Sequence, residues 1–143
     1  MSELNKRIIA RVLVETVVPL AVGTGEASIM TDSEVAVDYN GMPYIPGTSL
    51  TGVLRNAVKD EPGTDRIFGS VSKENLSGSM IIVSDAKIVD LKGRVVDGCA
   101  LPDSETVNLY KDLPVRQHVK IGNKGAAEDT GKFDNQVVYK GTR

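Results

Sequence analysis

The residues with the most chemistry to offer lie in Tyr44-Ile45-Pro46-Gly47-Thr48-Ser49-Leu50-Thr51-Gly52-Val53-Leu54-Arg55. Pro46-Gly47 breaks an apolar approach. Thr48 and Ser49 follow, and either hydroxyl can cap a helix that starts there. Backbone N–H groups at a helix start attract anions, and glycine lets a ligand backbone come close. Arg55, within two turns of that start, adds a planar cationic fork. This arrangement suits recognition of a phosphate backbone. The plainer reading of the same residues is a capped helix after a turn, with no ligand. A second group is Arg116, His118 and Lys120, which share one side of an extended segment by the two-residue period. Such a cationic row suits a phosphate backbone, and a solvated strand face has the same pattern. His118 is the only histidine, so a nuclease built on a histidine pair is excluded within one chain.

These side chains must be carried by elements that the residue pattern suggests. Ile8 to Val18 is rich in β-branched residues, and both alternating sets are partly apolar. That predicts a strand mostly covered on both sides, ended by Pro19. Residues 22–30 contain Gly23, Gly25, Ala27 and Ser28 and read as a loop. Val35 to Tyr39, Asn40-Gly41, and Met42 to Ile45 predict a hairpin. Ser49 to Val58 predicts a helix, with Leu50, Val53, Leu54 and Val58 on one face. Gly52 weakens that helix by roughly 1 kcal/mol relative to alanine. Ile67-Phe68-Gly69 forms a short apolar anchor, and Ser79 to Val89 predicts a second strong strand. Residues 90–113 are mixed and punctuated by Gly93, Gly98 and Pro102. Val115 to Ile121 reads as extended, residues 122–132 as a polar glycine-rich loop, and Phe133 to Tyr139 as a last short strand.

Composition sets further bounds. The chain has 143 residues, enough for one domain. It is 41% hydrophobic and 25% charged, ordinary for a globular protein. Aromatics make up 4% with no Trp, which argues against a broad aromatic platform for stacking bases. The formal net charge of −2 gives no global basic signature, so nucleic-acid binding has to use a local basic face or backbone donors. Cys99 is the only cysteine, which excludes an internal disulfide and a thiolate-rich zinc site. No signal peptide or membrane span is visible, so the cytoplasm is the default location.

The glycine-rich segment from Tyr44 to Arg55 resembles the signature of the RAMP superfamily, the RNA-binding subunits of CRISPR effector complexes. Arg11 to Thr16 and the small-residue turn Val22-Gly23-Thr24-Gly25 resemble the first strand and loop of those proteins. Ile67-Phe68-Gly69 resembles the short motif after their first helix. Arg116 to Ile121, Gly125-Ala126-Ala127-Glu128 and Lys132-Phe133-Asp134 resemble the central segment of the type III backbone subunit. The motifs keep their family order from about Ile8 to Arg143. The resemblance implies one α+β domain over residues 1–143, with a ferredoxin-like (RRM-like) core of order βαββαβ and insertions. In such a core the third strand, second helix and fourth strand find no counterpart in this sequence. A core of two strands and one helix is expected to leave apolar faces and sheet edges open, as in a fragment or a subunit completed by another polypeptide.

The resemblance also implies roles. Asp32 matches the family's catalytic aspartate, which supports metal-dependent cleavage of target RNA; an exposed loop acid or a turn cap is the plainer reading. A divalent metal (Mg or Mn) is then expected at Asp32, with Glu34 and Asp38 as neighbouring acids. Gly47, Thr48, Ser49 and Arg55, with Arg116, His118 and Lys120, are expected to hold the guide RNA. A thumb-like insertion is expected at about residues 90–115, with Leu109, Tyr110 and Leu113 at its tip or docked on the core. Expected partners are the guide RNA, the target RNA and other RAMP-type subunits. Family members often carry a histidine near the end of the first loop; around Leu20-Ala21-Val22 this chain has none. A non-catalytic RNA-binding subunit, or a protein-interaction module completed by a partner strand, therefore remains open.

Overall fold

A computed structural model describes residues 6–25, 31–71, 76–97 and 101–143. Cys99, Gly98 and the 26–30 portion of the predicted loop lie outside the described residues. A tight turn forms around Asp38, whose Oδ1 accepts from the backbone N–H groups of Asn40 (2.9 Å) and Met42 (3.0 Å). Gly41 takes a φ of 75°, which glycine adopts without penalty. Asp38 N–H closes the turn on Met42 O at 2.8 Å. This is the predicted hairpin, built with a three-residue loop.

The hairpin leads into β1 (Tyr44–Ile45), which pairs antiparallel with β4 (Ala86–Lys87). Between them lie α1 (Gly47–Ala57), α2 (Thr64–Phe68), β2 (Ser70–Val71) and β3 (Leu76–Ser77). After β4 come α3 (Ser104–Tyr110), β5 (Val115–Ile121) and β6 (Ala127–Gln136). The described residues form three two-stranded antiparallel sheets, β1–β4, β2–β3 and β5–β6. The fold class is thus mixed α and β. No helix among the described residues is long and apolar enough to cross a membrane.

The ribbon β5–β6 is the longest paired unit. Arg116 faces Asn135, His118 faces Phe133 and Val119 faces Lys132, with a register irregularity between Val119 and Ile121. The strand expected over Val115 to Ile121 is present. The loop expected over 122–132 is confined to 122–126, where Gly122 N–H donates to Ala126 O at 2.9 Å and Gly125 takes a φ of 74°. Pairing with β5 draws the polar residues that follow into β6, a tertiary effect that overrides their low β-propensity.

The first predicted strand departs most from expectation. Residues 8–14 form no regular element. They are exposed rather than covered on two sides, with Ile8 at 90% and Val12 at 77%. A strand exists only through a hydrogen-bonded neighbour, and no hydrogen bond joins residues 8–14 to another described residue. Pairing begins only at Thr16, next to residues 139–142, and at Leu20, opposite Val138. The apolar stripe of α1 is also open, with Val53 69% and Leu54 44% exposed.

The core comprises Val35, Met42, Ile88, Val96, Tyr110, Leu113 and Val138, with Leu20 and Val107 packed on it. Tyr110 and Leu113 are therefore docked on the chain's own core, and only Leu109 of the three expected tip residues is substantially exposed. Asp103 caps α3 by accepting from Thr106 N–H at 2.8 Å. That bond holds its carboxyl below the usual range, helped by Lys92 at 3.7 Å and Arg94 at 3.9 Å. Asp90 organises the turn before it, accepting from the N–H groups of Lys92 and Arg94 and from the Arg94 guanidinium. The Arg94 N–H does most to lower its pKa, against the opposing effect of burial.

Candidate nucleic-acid interface

The start of α1 is organised largely by the chain itself. The helix begins at Gly47 with Pro46 as its N-cap and no side-chain cap, so Thr48 and Ser49 sit in the first turn rather than capping it. Gly47 N–H donates to Asp85 Oδ1 at 2.9 Å. A Cβ on Gly47 would lie 2.2 Å from Val83 O and 3.0 Å from Ser84 C. The close approach that glycine permits here is to residues 83–84 of the same chain. A carboxylate at a helix start is itself the anion that the dipole favours. Thr48 and Ser49 are exposed, and their first-turn N–H groups have no intrahelical acceptor by position. Arg55 pairs with Asp65 of α2 at 2.9 Å, with both side chains well exposed. A Cβ on Gly52 would meet nothing within 4 Å, so no packing among the described residues demands that glycine.

The second place is the ribbon and the segment beside it. Asp32 N–H donates to Asp134 O at 3.0 Å, and Asp134 N–H returns the bond to Asp32 Oδ2 at 2.8 Å. Gln136 N–H then donates to Ser33 O at 3.0 Å, and its side-chain Oε1 accepts from Val35 N–H at 3.0 Å. Residues 32–35 are thereby laced to the outer edge of β6. This brings Asp32 into one cavity of about 160 Å³ with Gln117, His118, Val119, Lys132, Phe133 and Asp134. The α1 start and Arg55 do not line it. In the sequence Asp32 lies in the loop between the first predicted strand and the glycine-rich helix start. The fold joins it to the ribbon, some hundred residues on.

On β5, strand alternation places Arg116 and His118 on one face. The His118 ring stacks on Phe133 with centroids 4.9 Å apart and planes 10° from parallel. Phe133 remains 41% exposed. Lys120, the third member of the expected row, is held by Glu128 at 2.9 Å. Composition gave no sign of this stacked pair, because it needs only one aromatic residue and the register that sets it opposite His118. Asp134 and Asp85 were likewise invisible as partners, since each meets its neighbour through long-range contacts. Period two did show the Arg116–His118 face.

A divalent cation at Asp32 would have little help from neighbouring side chains. Among the described residues no group of three or more His, Cys, Asp or Glu is placed to hold a metal. A hard cation bound by one or two carboxylates and completed by water and phosphate oxygens is a common arrangement for magnesium. Asp32, exposed and with Oδ2 already accepting one N–H, fits only that mode.

None of the curated proteins compared with the chain matches it. Among solved structures, the fold is similar to a chain in the cryo-EM structure of the Type III-B Cmr-beta bound to cognate target RNA, with a TM-score of 0.62. That likeness covers 90% of this chain and 79% of the other at 14% identity, so it is a likeness of fold. Residues 13–143 match the family model of the RAMPs, and the chain belongs to the RAMP superfamily.

Proposed function

We propose that the chain is a guide-RNA-binding backbone module of a type III CRISPR effector complex, built on a ferredoxin-like core and acting in the cytoplasm beside other RAMP-type subunits. Family membership and the fold likeness to a subunit of a target-RNA-bound complex support this reading. The observation that carries it further is the meeting of Asp32 with Lys132 and His118 in one cavity at the foot of an exposed ribbon. Arg116, His118 and Lys120 would follow the guide backbone, with Thr48, Ser49 and Arg55 as a second contact. Gly47 would contribute only by letting α1 start against residues 83–84. Such contacts recognise phosphate and shape with little sequence preference.

Target RNA paired to the guide would pass Asp32. A divalent metal there would offset charge developing on the scissile phosphate. The Asp32 carboxylate would orient the attacking 2′-hydroxyl or hold the cation, and Lys132 would face the phosphate. A second reading also has an observation behind it. The Asp32 carboxylate already clasps Asp134 N–H, so it serves the fold even in a subunit that never cuts. Incubating the assembled complex with guide-paired target RNA and Mg²⁺ or Mn²⁺ separates the two. Cutting that stops on substitution of Asp32, with RNA still bound, supports catalysis. Cutting that persists assigns Asp32 to the clasp.

A further inference from the structure

Resting on the RNA-binding reading, we propose that the His118–Phe133 pair is a stacking platform for one unpaired nucleobase of single-stranded RNA, with Arg116 on the phosphate beside it. Tracking a phosphate backbone does not by itself require such a platform. Strand alternation and the β5–β6 register set Arg116, His118, Phe133 and Asn135 on one face of the ribbon. The His118 and Phe133 rings lie 10° from parallel with centroids 4.9 Å apart. Flat rings in contact are separated by only about 3.5 Å, so the rest of that distance is sideways offset. An offset pair leaves part of each ring uncovered. Phe133 accordingly stays 41% exposed although it lies within β6 and has a ring against it.

The groups around the rings are also uncommitted. Arg116 is exposed, and its guanidinium makes no ion pair or hydrogen bond with another described residue. The His118 imidazole has the Phe133 ring as its side-chain partner and no hydrogen bond to another described residue. Lys120, two residues further along β5, is drawn to Glu128 at 2.9 Å. Gly131, two residues before Phe133, has no side chain to lay over the ring. Glycine is favoured there because a Cβ would lie 3.0 Å from Glu128 O and 3.1 Å from Lys120 Cβ. A bare ring beside a free guanidinium matches the two chemistries joined in a nucleotide, a flat π-face and an anion. A phosphate alone would leave Phe133 unused, and an apolar side chain of a protein would leave Arg116 unused. Asn135, opposite Arg116 in the register, adds an amide that can donate to or accept from a base edge. Two rings make room for a single base, so the low aromatic content that argues against a broad platform allows this narrow one. Stacking of this kind tolerates any base and adds affinity with little sequence preference.

The full chain titrated with an oligouridylate of about eight nucleotides, and with an abasic oligoribonucleotide of the same length, tests this. The two carry the same phosphates and differ only in the bases. The expected result is about tenfold tighter binding of the oligouridylate. Phe133→Leu keeps an apolar side chain at an exposed position, so circular dichroism should be unchanged while the tenfold advantage disappears. Phe133→Trp should preserve the advantage. The chain has no other Trp, so the fluorescence of that variant should be quenched by the oligouridylate and not by the abasic strand. Equal affinity for the two oligonucleotides, or an advantage that survives Phe133→Leu, overturns the platform; binding of both that weakens with salt then leaves the phosphate contacts standing. Failure to bind either at low salt overturns the RNA-binding reading and the platform with it.

Discussion

Replacing Asp32 with Asn and with Ala separates two jobs that one carboxylate can hold. Asp32 Oδ2 accepts from Asp134 N–H at 2.8 Å, and this bond helps lace residues 32–35 to β6. The site is exposed, so the bond contributes a net stability of about 0.5–1.5 kcal/mol. Alanine removes the acceptor and should lower Tm by about 2–4 °C in a domain of this size. Asparagine keeps an amide oxygen in nearly the same place, so its Tm should stay within about 1 °C of wild type. The charge is a different matter. Neither variant can hold a hard cation through an anionic oxygen or take up a proton, so cleavage of guide-paired RNA should fall by about 10²–10⁴-fold in both. Differential scanning fluorimetry and a single-turnover cleavage assay on the assembled complex give the two readouts. An Asn variant that cuts at the wild-type rate refutes the catalytic role. RNA binding that falls in step with Tm in both variants would reduce Asp32 to a structural clasp.

Arg116→Ala should weaken RNA binding and flatten the slope of log affinity against log salt by about one, measured by filter binding at several salt concentrations. If Asp65 competes with phosphate for Arg55, Asp65→Ala should tighten RNA binding, and Arg55→Ala should cancel the gain. The two helix glycines should respond oppositely to alanine. Gly47→Ala puts a Cβ 2.2 Å from Val83 O and should cost about 1–3 kcal/mol, whereas Gly52→Ala meets nothing within 4 Å and should stabilise by about 0.5–1 kcal/mol, both read by urea melts. The pKa values of Asp90 and Asp103 are lowered in the fold, so their contribution is fully present above the unfolded carboxylate value near 3.9 and disappears as pH falls through the lower folded values. The part of thermal stability that these two carboxylates supply should be constant from pH 7 to 5 and drop below about pH 4, with a shallower drop in Asp90→Asn.

What the residues revealed by themselves was local. Asn40-Gly41 marked the hairpin because a positive φ at Gly41 is a requirement of the turn itself. Val115 to Ile121 marked β5 through its alternation. The helix after Pro46-Gly47 was legible, but its first residue was not. Thr48 and Ser49 looked like caps, yet Asp85, 38 residues away, supplies the acceptor. The Asp32 cavity was hidden for the same reason. Its other residues come from β5 and β6, and only the bonds of Asp32 to Asp134, with the lacing of Ser33 and Val35 to Gln136, set Asp32 beside them. Residues 8–18 show the reverse case. Their pattern is that of a strand, and most of the segment is irregular because strand structure resides in the pair.

The segment that looked most like an anion site and the cavity that holds Asp32 are different places, and the difference follows from where the glycine at the helix start is used. Gly47 admits the backbone of residues 83–84, and its amide is closed by Asp85. A phosphate approaching α1 would therefore meet Asp85 as a competing negative charge and find the donors of Thr48 and Ser49 on the outer side of the turn. Arg55 would have to leave Asp65, an exchange of one exposed ion pair for another that involves at most about 1 kcal/mol. At the ribbon, Arg116 is exposed on the face that carries the His118–Phe133 stack, while Lys132 lines the cavity with Asp32. If one chain grips a guide strand and presents the paired strand to Asp32, the physical division of labour puts strand positioning on the ribbon. α1 then serves as a weaker outer contact, whose strength is set by how readily Asp65 and Asp85 give way.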